Sequence, residues 1–239
     1  MTYYNKPAGI TINQYMDHIK QETGCKKLCF CGRLDPMARG KVLVLMNDEC
    51  KLMPQYNEKK KVYNFEIVLN LQTDSDDPLG IIEHINNDNT DTVIEKLKTE
   101  LNLYKNGVKP FLQKFHDYSS KRVDGQPLWY YKKNNLPVKA QYHTVQLYSL
   151  KFGELSKYDY LKWKNVVVSQ INTIDKKTDF KQSDITEQWN KLTMDKIISI
   201  PVEVNVSSGF YIRQFVRDLS IKIKHPLLTF DINRTSIYD

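Results

Sequence analysis

One carboxylate of this sequence lies where it could act as a nucleophile. Asp35 belongs to the stretch Cys-Gly-Arg-Leu-Asp-Pro-Met-Ala-Arg-Gly at residues 31–40. Gly32, Pro36 and Gly40 are typical of a constrained loop, and an arginine lies within four residues on each side of the acid. Nearby positive charge favours the ionised form of a carboxyl group. A partly desolvated carboxylate held in this way is suited to nucleophilic catalysis.

The same stretch has a simpler interpretation. Asp35 can cap a turn while Arg33 and Arg39 face water, and on this stretch alone that arrangement is the commoner one. The run Val-Leu-Val-Leu-Met at residues 42–46 predicts a buried strand or the buried side of a helix. In either interpretation, the loop lies against a hydrophobic element.

A second charged pattern lies in a helix predicted to begin at residue 210, after a strand at 197–206 and Ser-Ser-Gly at 207–209. Arg213 falls in the first turn of this helix, where the helix dipole disfavours a cation. Its position predicts a specific anionic partner, either a phosphate or a carboxylate. Arg217 follows four residues later on the same side. The residues predicted to face inward are Phe210, Ile212, Phe215, Val216 and Leu219.

Hydrophobic spacing predicts the elements that must position these charges. Residues 5–24 predict a strand and a turn at 6–11 followed by a helix, with Thr11 or Asn13 as the candidate N-cap and Gly24 as the C-cap. A second amphipathic helix is predicted over residues 90–101.

Residues 59–69 predict a strand with one strongly apolar face, because Tyr63, Phe65, Ile67 and Leu69 alternate with other residues. The tyrosine lies at the end of this face nearest a lysine cluster. It is either a core tyrosine or an aromatic side chain that meets a base.

A polar segment follows at residues 71–80, with three acids in four positions at Asp74, Asp76 and Asp77. Such a cluster resembles a cation site, but the ligand periodicity of a calcium loop is absent. We therefore predict a solvated turn.

Residues 109–139 mix basic and aromatic side chains, which can neutralise phosphates and stack on bases. An equally good interpretation is a helix with Leu128 and Tyr131 inward and its lysines solvated. Residues 138–152 predict a pair of strands. Residues 153–196 are polar and rich in lysine, with few apolar anchors, and predict an insertion or a small subdomain.

Composition limits the class of protein. The 239 residues are 41% hydrophobic and 26% charged, which is ordinary for a globular protein. No apolar run spans a membrane and no signal peptide is evident, so we expect a location in the cytoplasm or nucleus. The net charge of +7 favours a polyanionic partner without distinguishing RNA from DNA or a membrane surface. The cysteine spacing matches no usual zinc pattern, so no metal is expected.

Six short motifs occur in a definite order. They are Lys-Pro-Ala-Gly-Ile-Thr at 6–11, Gly-Arg-Leu-Asp-Pro-Met-Ala-Arg-Gly at 32–40, Lys-Val-Tyr at 61–63, Thr-Asp-Ser-Asp-Asp at 73–77 with Gly80, Tyr-Ser-Ser at 118–120 with Arg122 and Gly125, and Ser-Gly-Phe-Tyr-Ile-Arg at 208–213. Each motif alone is weak, but together and in this order they resemble the TruB family of RNA pseudouridine synthases, which includes tRNA pseudouridine(55) synthases.

The resemblance implies roles for the site. Asp35 is the nucleophile that attacks the target uridine, Tyr63 packs on the flipped base and assists proton transfer, and Arg213 pairs with Asp35. It implies no redox change and neither a metal nor an organic cofactor. The residues it suggests for RNA binding are Phe30, Arg33, Lys121, Arg122, Lys132, Lys133 and Arg217.

Three departures accompany the resemblance. Phe30 stands where the family usually has a histidine, two residues before the glycine of the catalytic stretch. The sequence ends soon after Arg234, so no C-terminal RNA-binding domain is expected. Residues 153–196 are longer than the family's usual link. The sequence at residues 209–213 and the pair Arg234-Thr235 resemble eukaryotic members of the family more closely than bacterial ones.

We therefore expect an α/β (α+β) fold in which helices flank a mixed central sheet with a catalytic cleft, formed by residues 1–239 as a single domain. The expected function is isomerisation of uridine to pseudouridine in RNA, with the T-loop uridine at position 55 of tRNA as the target of a monomer that binds the T-arm. The alternative is a non-catalytic RNA-binding or tRNA-folding protein on the same scaffold, which Phe30 and the missing RNA-binding domain favour.

Overall fold

The computed structural model describes residues 1–86 and 90–238. The strands in chain order are β1 (Thr2–Lys6), β2 (Leu28–Cys31), β3 (Arg39–Met46), β4 (Lys60–Leu69), β5 (Leu71–Thr73), β6 (Ile82–Ile85), β7 (Phe111–Lys114), β8 (Arg122–Val123), β9 (Gln126–Pro127), β10 (Tyr142–Val145), β11 (Leu147–Phe152), β12 (Ser156–Asp159), β13 (Lys196–Val206) and β14 (Leu227–Tyr238). The helices are α1 (Ile12–Thr23), α2 (Met53–Asn57), α3 (Thr90–Asn102), α4 (Leu128–Lys133), α5 (Tyr160–Thr173), α6 (Gln182–Lys191) and α7 (Ile212–Ile223), and a 3₁₀ helix covers Asn47–Leu52.

Eight strands form a central sheet in the order β1–β3–β14–β4–β13–β11, with β2 also paired to β3 and β12 also paired to β13. The contact between β14 and β3 is parallel and places Arg234 opposite Gly40, whereas β14 and β4 are antiparallel. The sheet is therefore mixed. With helices packed on it, the expected α/β fold with a mixed central sheet is confirmed.

Hydrophobic clusters cover both faces of the sheet, because side chains alternate along each strand. On β4, Phe65, Ile67 and Leu69 pack with α1, α3 and α7, as the sequence predicted. Val68 points the other way and packs with α5 and α6. The segment 153–196 thus supplies the helices that cover the second face of the sheet.

The start and end of α1 follow from its caps. The Thr11 side chain accepts a hydrogen bond from the backbone N–H of Gln14 at 3.0 Å, and the Gln14 side chain accepts one from the backbone N–H of Thr11 at 2.8 Å. Gly24 ends the helix with φ +66°, a conformation that glycine adopts without steric cost. The helix therefore begins and ends where the sequence predicted.

Pro54 and strand β14 each have a clear place in the fold. Pro54 lies in the first turn of α2, where the missing N–H needs no partner. Strand β14 is 12 residues long and central in the sheet.

The predicted strand pair at 138–152 is different in the structure. The strands β10 and β11 pair with β7 and β13, and not with each other. Gln146 alone separates them, and one residue is too short for a hairpin turn. The helix predicted to begin at residue 210 begins at Ile212. No helix within residues 1–86 and 90–238 is long and apolar enough to cross a bilayer.

Replacing Trp189 by alanine is expected to lower the free energy of unfolding by about 3–5 kcal/mol. Its ring is fully buried, packs 5.4 Å from the Trp163 ring between centroids, and carries an Nε1–H that donates to the Pro78 carbonyl at 3.0 Å. Urea denaturation measures the loss. Leu161→Ala, on the exposed side of α5 with 61% exposure, is the control and is expected to change stability by under about 0.5 kcal/mol. Equal losses in the two variants would contradict a core role for this layer.

Candidate active site

The Asp35 loop connects β2 to β3 and is held by a buried lysine. The Lys6 ammonium donates hydrogen bonds to the carbonyl oxygens of Pro7 (2.9 Å), Pro36 (3.2 Å) and Ala38 (2.7 Å). Lys6 is 1% exposed, so these carbonyls replace water around its charge. Burial lowers the pKa of Lys6 to about 7, although the Asp35 carboxylate acts in the opposite direction. The loop backbone is thereby fixed on the C-terminal side of Asp35.

Glycine is required where this loop enters β3. Gly40 has φ +107°, and a Cβ atom at this position would overlap the backbone of Arg234. The close approach occurs at the parallel contact between β3 and β14. A small residue at position 40 therefore lets the central strand β14 lie directly beside the Asp35 loop.

The Arg213 guanidinium joins the Asp35 loop to the acidic segment. Its Nε lies 2.9 Å from Oδ2 of Asp35, and its Nη1 lies 3.6 Å from Oδ2 of Asp77. Nη1 also donates a hydrogen bond to the Ser75 carbonyl oxygen at 3.1 Å. The Arg213 side chain is 5% exposed and that of Asp35 is 33% exposed. A buried cation thus holds a carboxylate that remains open to solvent.

The electrostatics of Arg213 reflect this setting. Burial acts to lower its pKa, but attraction to Asp35, Asp77 and Asp76 outweighs burial and raises the pKa above its usual value. The arginine therefore stays charged throughout the accessible pH range. The partner predicted from its place in the first turn of α7 is a carboxylate.

The prediction of a solvated turn at residues 71–80 is wrong. Asp76 and Asp77 are 1% and 3% exposed. The Oδ1 of Asp77 accepts hydrogen bonds from the Ser75 hydroxyl at 2.8 Å and the Leu79 N–H at 2.9 Å. Burial raises the pKa of Asp77, and Arg213 opposes that rise. Acids that would be solvated in an isolated turn are buried here because α7 supplies cations to them.

Asp76 connects three parts of the fold. Its Oδ2 lies 3.0 Å from Nε2 of His116, and its Oδ1 lies 3.2 Å from Nε of Arg217. The Nδ1 of His116 accepts a hydrogen bond from the Tyr118 N–H at 3.1 Å, so Nε2 carries the proton that Asp76 accepts. Burial and the charges of nearby cations hold the pKa of His116 well below its usual value. His116 is therefore neutral at pH 7.

Tyr118 makes a second link to the acidic segment. Its hydroxyl donates to Oδ2 of Asp74 at 2.5 Å, and Oδ1 of Asp74 accepts from the Ile81 N–H at 2.8 Å. Burial and this hydrogen bond raise the pKa of Tyr118. The Tyr-Ser-Ser motif and the Asp-Ser-Asp-Asp motif, more than 40 residues apart in sequence, are thus in direct contact.

Tyr63 lies on β4 and is 8% exposed. It belongs to the same core cluster as Leu34 and Ala38 of the Asp35 loop. This position fits a core tyrosine beside the loop, and contact between Tyr63 and a substrate base stays a prediction.

Two further cations are buried near the loop. The Lys61 ammonium donates to the Asn57 carbonyl oxygen at 2.7 Å and to the Ser208 hydroxyl at 3.1 Å. Burial and Arg234 lower the pKa of Lys61 to about 8. Arg234 is 1% exposed and donates from Nη2 to the Gly32 carbonyl oxygen at 3.0 Å. Both cations hold backbone carbonyl groups in place by hydrogen bonds, as Lys6 does.

Part of the predicted RNA-binding set lies at the surface in contact with aromatic rings or turns. The Arg33 guanidinium lies 5.3 Å from the centre of the Phe30 ring. The Lys121 ammonium lies 5.2 Å from the centre of the Phe115 ring. Arg122 is exposed, and its Nη1 donates to a turn carbonyl at 2.8 Å. Exposed cations beside aromatic rings suit RNA, but binding by these residues stays a prediction.

Two residues of the same set, Lys133 and Arg217, have protein partners. Lys132 and Lys133 end α4 and are partly exposed, and the Lys133 ammonium lies 2.9 Å from Oδ2 of Asp179. Arg217 lies in the buried acidic network described above. Its role in RNA binding is untested, whereas its ion pairs give it a structural role.

The described part of the chain contains no cluster of metal-ligating side chains. Within residues 1–86 and 90–238, no group of three or more His, Cys, Asp or Glu side chains could hold an ion. The thiols of Cys25, Cys29, Cys31 and Cys50 are free.

Sequence reasoning missed three residues of this site. The sequence places Lys6 in a motif but predicts no role for it. It predicts that Asp77 lies in a solvated turn, and it gives no reason to single out His116 within the basic and aromatic segment. The signal available for Lys6 and Asp77 was their place in the same ordered set of motifs as Asp35 and Arg213. His116 had no local signal, because its partner Asp76 is 40 residues away.

Comparison with known proteins identifies the relationship. Residues 20–171 match the family described as "TruB family pseudouridylate synthase (N terminal domain)". The chain belongs to the TruB family. Among its relatives is tRNA pseudouridine synthase B of Caldanaerobacter subterraneus subsp. tengcongensis, 34% identical over 234 residues, which are 98% of this chain and 67% of the relative. The enzyme of the same name from Malacoplasma penetrans is 26% identical over 234 residues, with 98% of this chain and 82% of the relative covered.

Solved structures agree with the TruB fold. The crystal structure of a Cbf5-Nop10-Gar1 complex matches with a TM-score of 0.53 and 14% sequence identity, covering 98% of this chain and 47% of the matched one. At this identity, the match supports the fold alone. The TruB relatives named above are bacterial, so they give no support to the expectation of a closer likeness to eukaryotic members.

The burial of Lys6 predicts a pH dependence of stability. The pKa of Lys6 is about 7 in the fold and about 10.4 in the unfolded chain. The unfolded chain therefore binds more protons between these values, and stability rises with pH by up to about 1.4 kcal/mol per unit. Lys61 acts in the same direction above pH 8. Urea denaturation at pH 7, 8 and 9 should show a steeper rise for the wild type than for Lys6→Met. Parallel slopes would mean that Lys6 has an ordinary pKa in the fold.

Proposed function

We propose that this protein isomerises uridine to pseudouridine in tRNA, with Asp35 as the nucleophile. The observation that carries the proposal is the pairing of a buried Arg213 with a carboxylate that is 33% exposed, at 2.9 Å. A cation braced by Asp77 and the Ser75 carbonyl fixes the direction of the carboxylate, while the other side of Asp35 remains accessible. The TruB family and its relatives named tRNA pseudouridine synthase B support this assignment.

The proposed reaction balances without a redox partner. The bond between N1 of uracil and C1′ of ribose breaks, the base turns, and C5 bonds to C1′. The hydrogen on C5 leaves as a proton, and N1 gains one. Asp35 is the nucleophile: its carboxylate bonds transiently to the target nucleoside and is released again as a carboxylate by the time C5 is bonded to C1′. Arg213 orients it, and Tyr63 is proposed to pack against the base and assist the proton transfer.

The T-loop uridine at position 55 is the proposed target, within the T-arm of tRNA and bound by a single copy of this chain. A target base must leave its stack to reach Asp35, which costs a few kcal/mol. The net charge of +7 supplies phosphate contacts that offset this cost. The segment 153–196 is proposed as an insertion that supports the acidic loop, because Trp189 donates to the Pro78 carbonyl.

Asp35→Asn is expected to abolish turnover while leaving tRNA affinity within about fivefold, because the substitution keeps the size of the side chain and removes only the nucleophile. The measurement is tritium release from 5-tritiated uridine in unmodified tRNA, with binding measured in parallel. Normal release by the variant would exclude Asp35 as the nucleophile. Binding without release by the wild type would favour the non-catalytic RNA-binding alternative.

Neutralising Lys132 and Lys133 with glutamine is expected to weaken tRNA binding and to reduce the slope of log affinity against log salt by up to about two units. The matched control is Lys51→Gln with Lys151→Gln, whose side chains are 74% and 80% exposed and each lie near one surface carboxylate. Both double variants lose two charges. A slope equal to that of the control variant would remove α4 from the RNA contact surface.

A further inference from the structure

Two rings near the active site are stacked on each other. The Phe115 and His143 ring centroids are 3.9 Å apart with an angle of 27° between the planes. The Tyr211 ring meets each of them edge-on, at 5.7 Å between centroids. Phe115 and His143 are only partly buried. The hydrophobic core clusters do not include Phe115, so packing of the core does not account for the position of its ring.

Hydrogen bonds fix this stack relative to the catalytic pair. The His143 Nε2–H donates to the Gly209 carbonyl oxygen at 2.9 Å. The Gln113 side chain donates to the Tyr211 carbonyl oxygen at 3.1 Å and accepts from the Tyr211 N–H at 2.9 Å. Tyr211 precedes Arg213 by two residues, so β7 and β10 are fastened to the start of α7. The stack therefore keeps its place when RNA arrives.

The stack adjoins the residue that pairs with Asp35, and a lysine lies over it. Tyr211 precedes Arg213 by two residues, and the Arg213 Nε lies 2.9 Å from Oδ2 of Asp35. The Lys121 ammonium lies over the Phe115 ring at 5.2 Å from its centre. Lys121 is exposed, so its flexible stem allows the ammonium to move from the ring to a phosphate.

We propose that the Phe115–His143 stack binds a nucleobase adjacent to the target uridine, with Lys121 on the phosphate of that nucleotide. The proposal rests on the RNA substrate proposed above. Bases stack on aromatic rings with little sequence preference, and a lysine beside the ring supplies the charge that the backbone requires. The site would therefore hold the strand beside the flipped uridine rather than identify its sequence.

The chain offers a matched control for this site. Phe152 also has an ammonium over its ring, because Lys105 lies 5.0 Å from the ring centre. It has no stacked histidine, and it packs against the main core cluster. Replacing each phenylalanine by leucine removes one ring and keeps an apolar side chain of similar size, so both variants are expected to fold.

The test is a double-mutant cycle of RNA binding in the Asp35→Asn chain. The RNAs are synthetic T-arm hairpins, one intact and the others each with a single abasic nucleotide at a position within two of the target uridine. Phe115→Leu is expected to weaken binding of the intact hairpin about five- to thirtyfold, and Phe152→Leu less than twofold. At one of these positions, removing the base should weaken binding to the Asp35→Asn chain by a factor similar to that of Phe115→Leu. Removing the same base should not weaken binding any further when the chain also carries Phe115→Leu. Phe115→Trp should restore binding.

Other outcomes would overturn the proposal. If the loss of affinity from Phe115→Leu and the loss from removing a base multiply at every position, the ring does not contact any of these bases. If Phe115→Leu binds the intact hairpin as tightly as Phe152→Leu, the stack is only a surface contact. Binding is read without turnover, so failure of this proposal is distinct from failure of the isomerase function, which tritium release reports.

Discussion

The structure of the site depends on burying the Arg213 guanidinium. An unpaired charge in the interior is strongly destabilising, and a buried ion pair is tolerated only when its partners and hydrogen bonds are in place. Arg213 is 5% exposed and meets Asp35, Asp77 and the Ser75 carbonyl. Two loops distant in sequence must therefore meet at the first turn of α7, and the cation that orients Asp35 also determines how these loops close.

Among the residues that the structure describes, Arg213 is the only cation that forms an ion pair with Asp35. Lys6, Lys61 and Arg234 are buried as well, yet their hydrogen bonds go to backbone carbonyls and to the Ser208 hydroxyl. They fix the loop backbone without occupying the carboxylate oxygens. The cations thus have two tasks, since Lys6, Lys61 and Arg234 position the backbone and Arg213 orients the acid. Because Asp35 is the partly exposed member of the group, its ion pair with Arg213 leaves the carboxylate open to solvent.

The parts of the fold that depend on local pattern were predictable. Helix α1 with its Thr11 cap and strand β4 with its apolar face follow from spacing within about a dozen residues. The requirement for an anion at Arg213 also has a local cause, the helix dipole. The burial of Asp76 was not predictable, because it depends on Arg217 and His116, which are supplied by elements 40 or more residues away. A local pattern reports the charge of a residue but not the charges that the fold brings to it.

The aromatic segment could not be resolved from composition for the same physical reason. A mixture of lysines and aromatic residues fits both a solvated helix and an RNA surface, and in the structure the segment forms both a short helix and a stacked pair of rings. Lys133 pairs with Asp179 beside the second helical layer, whereas Phe115 stacks on His143, which lies 28 residues later on the paired strand β10. Strand pairing, and not the order of residues, creates the stacked surface. Because hydrogen bonds from β7 and β10 fasten that surface to the residues just before Arg213, the position of the stack is set by the same helix terminus that orients Asp35.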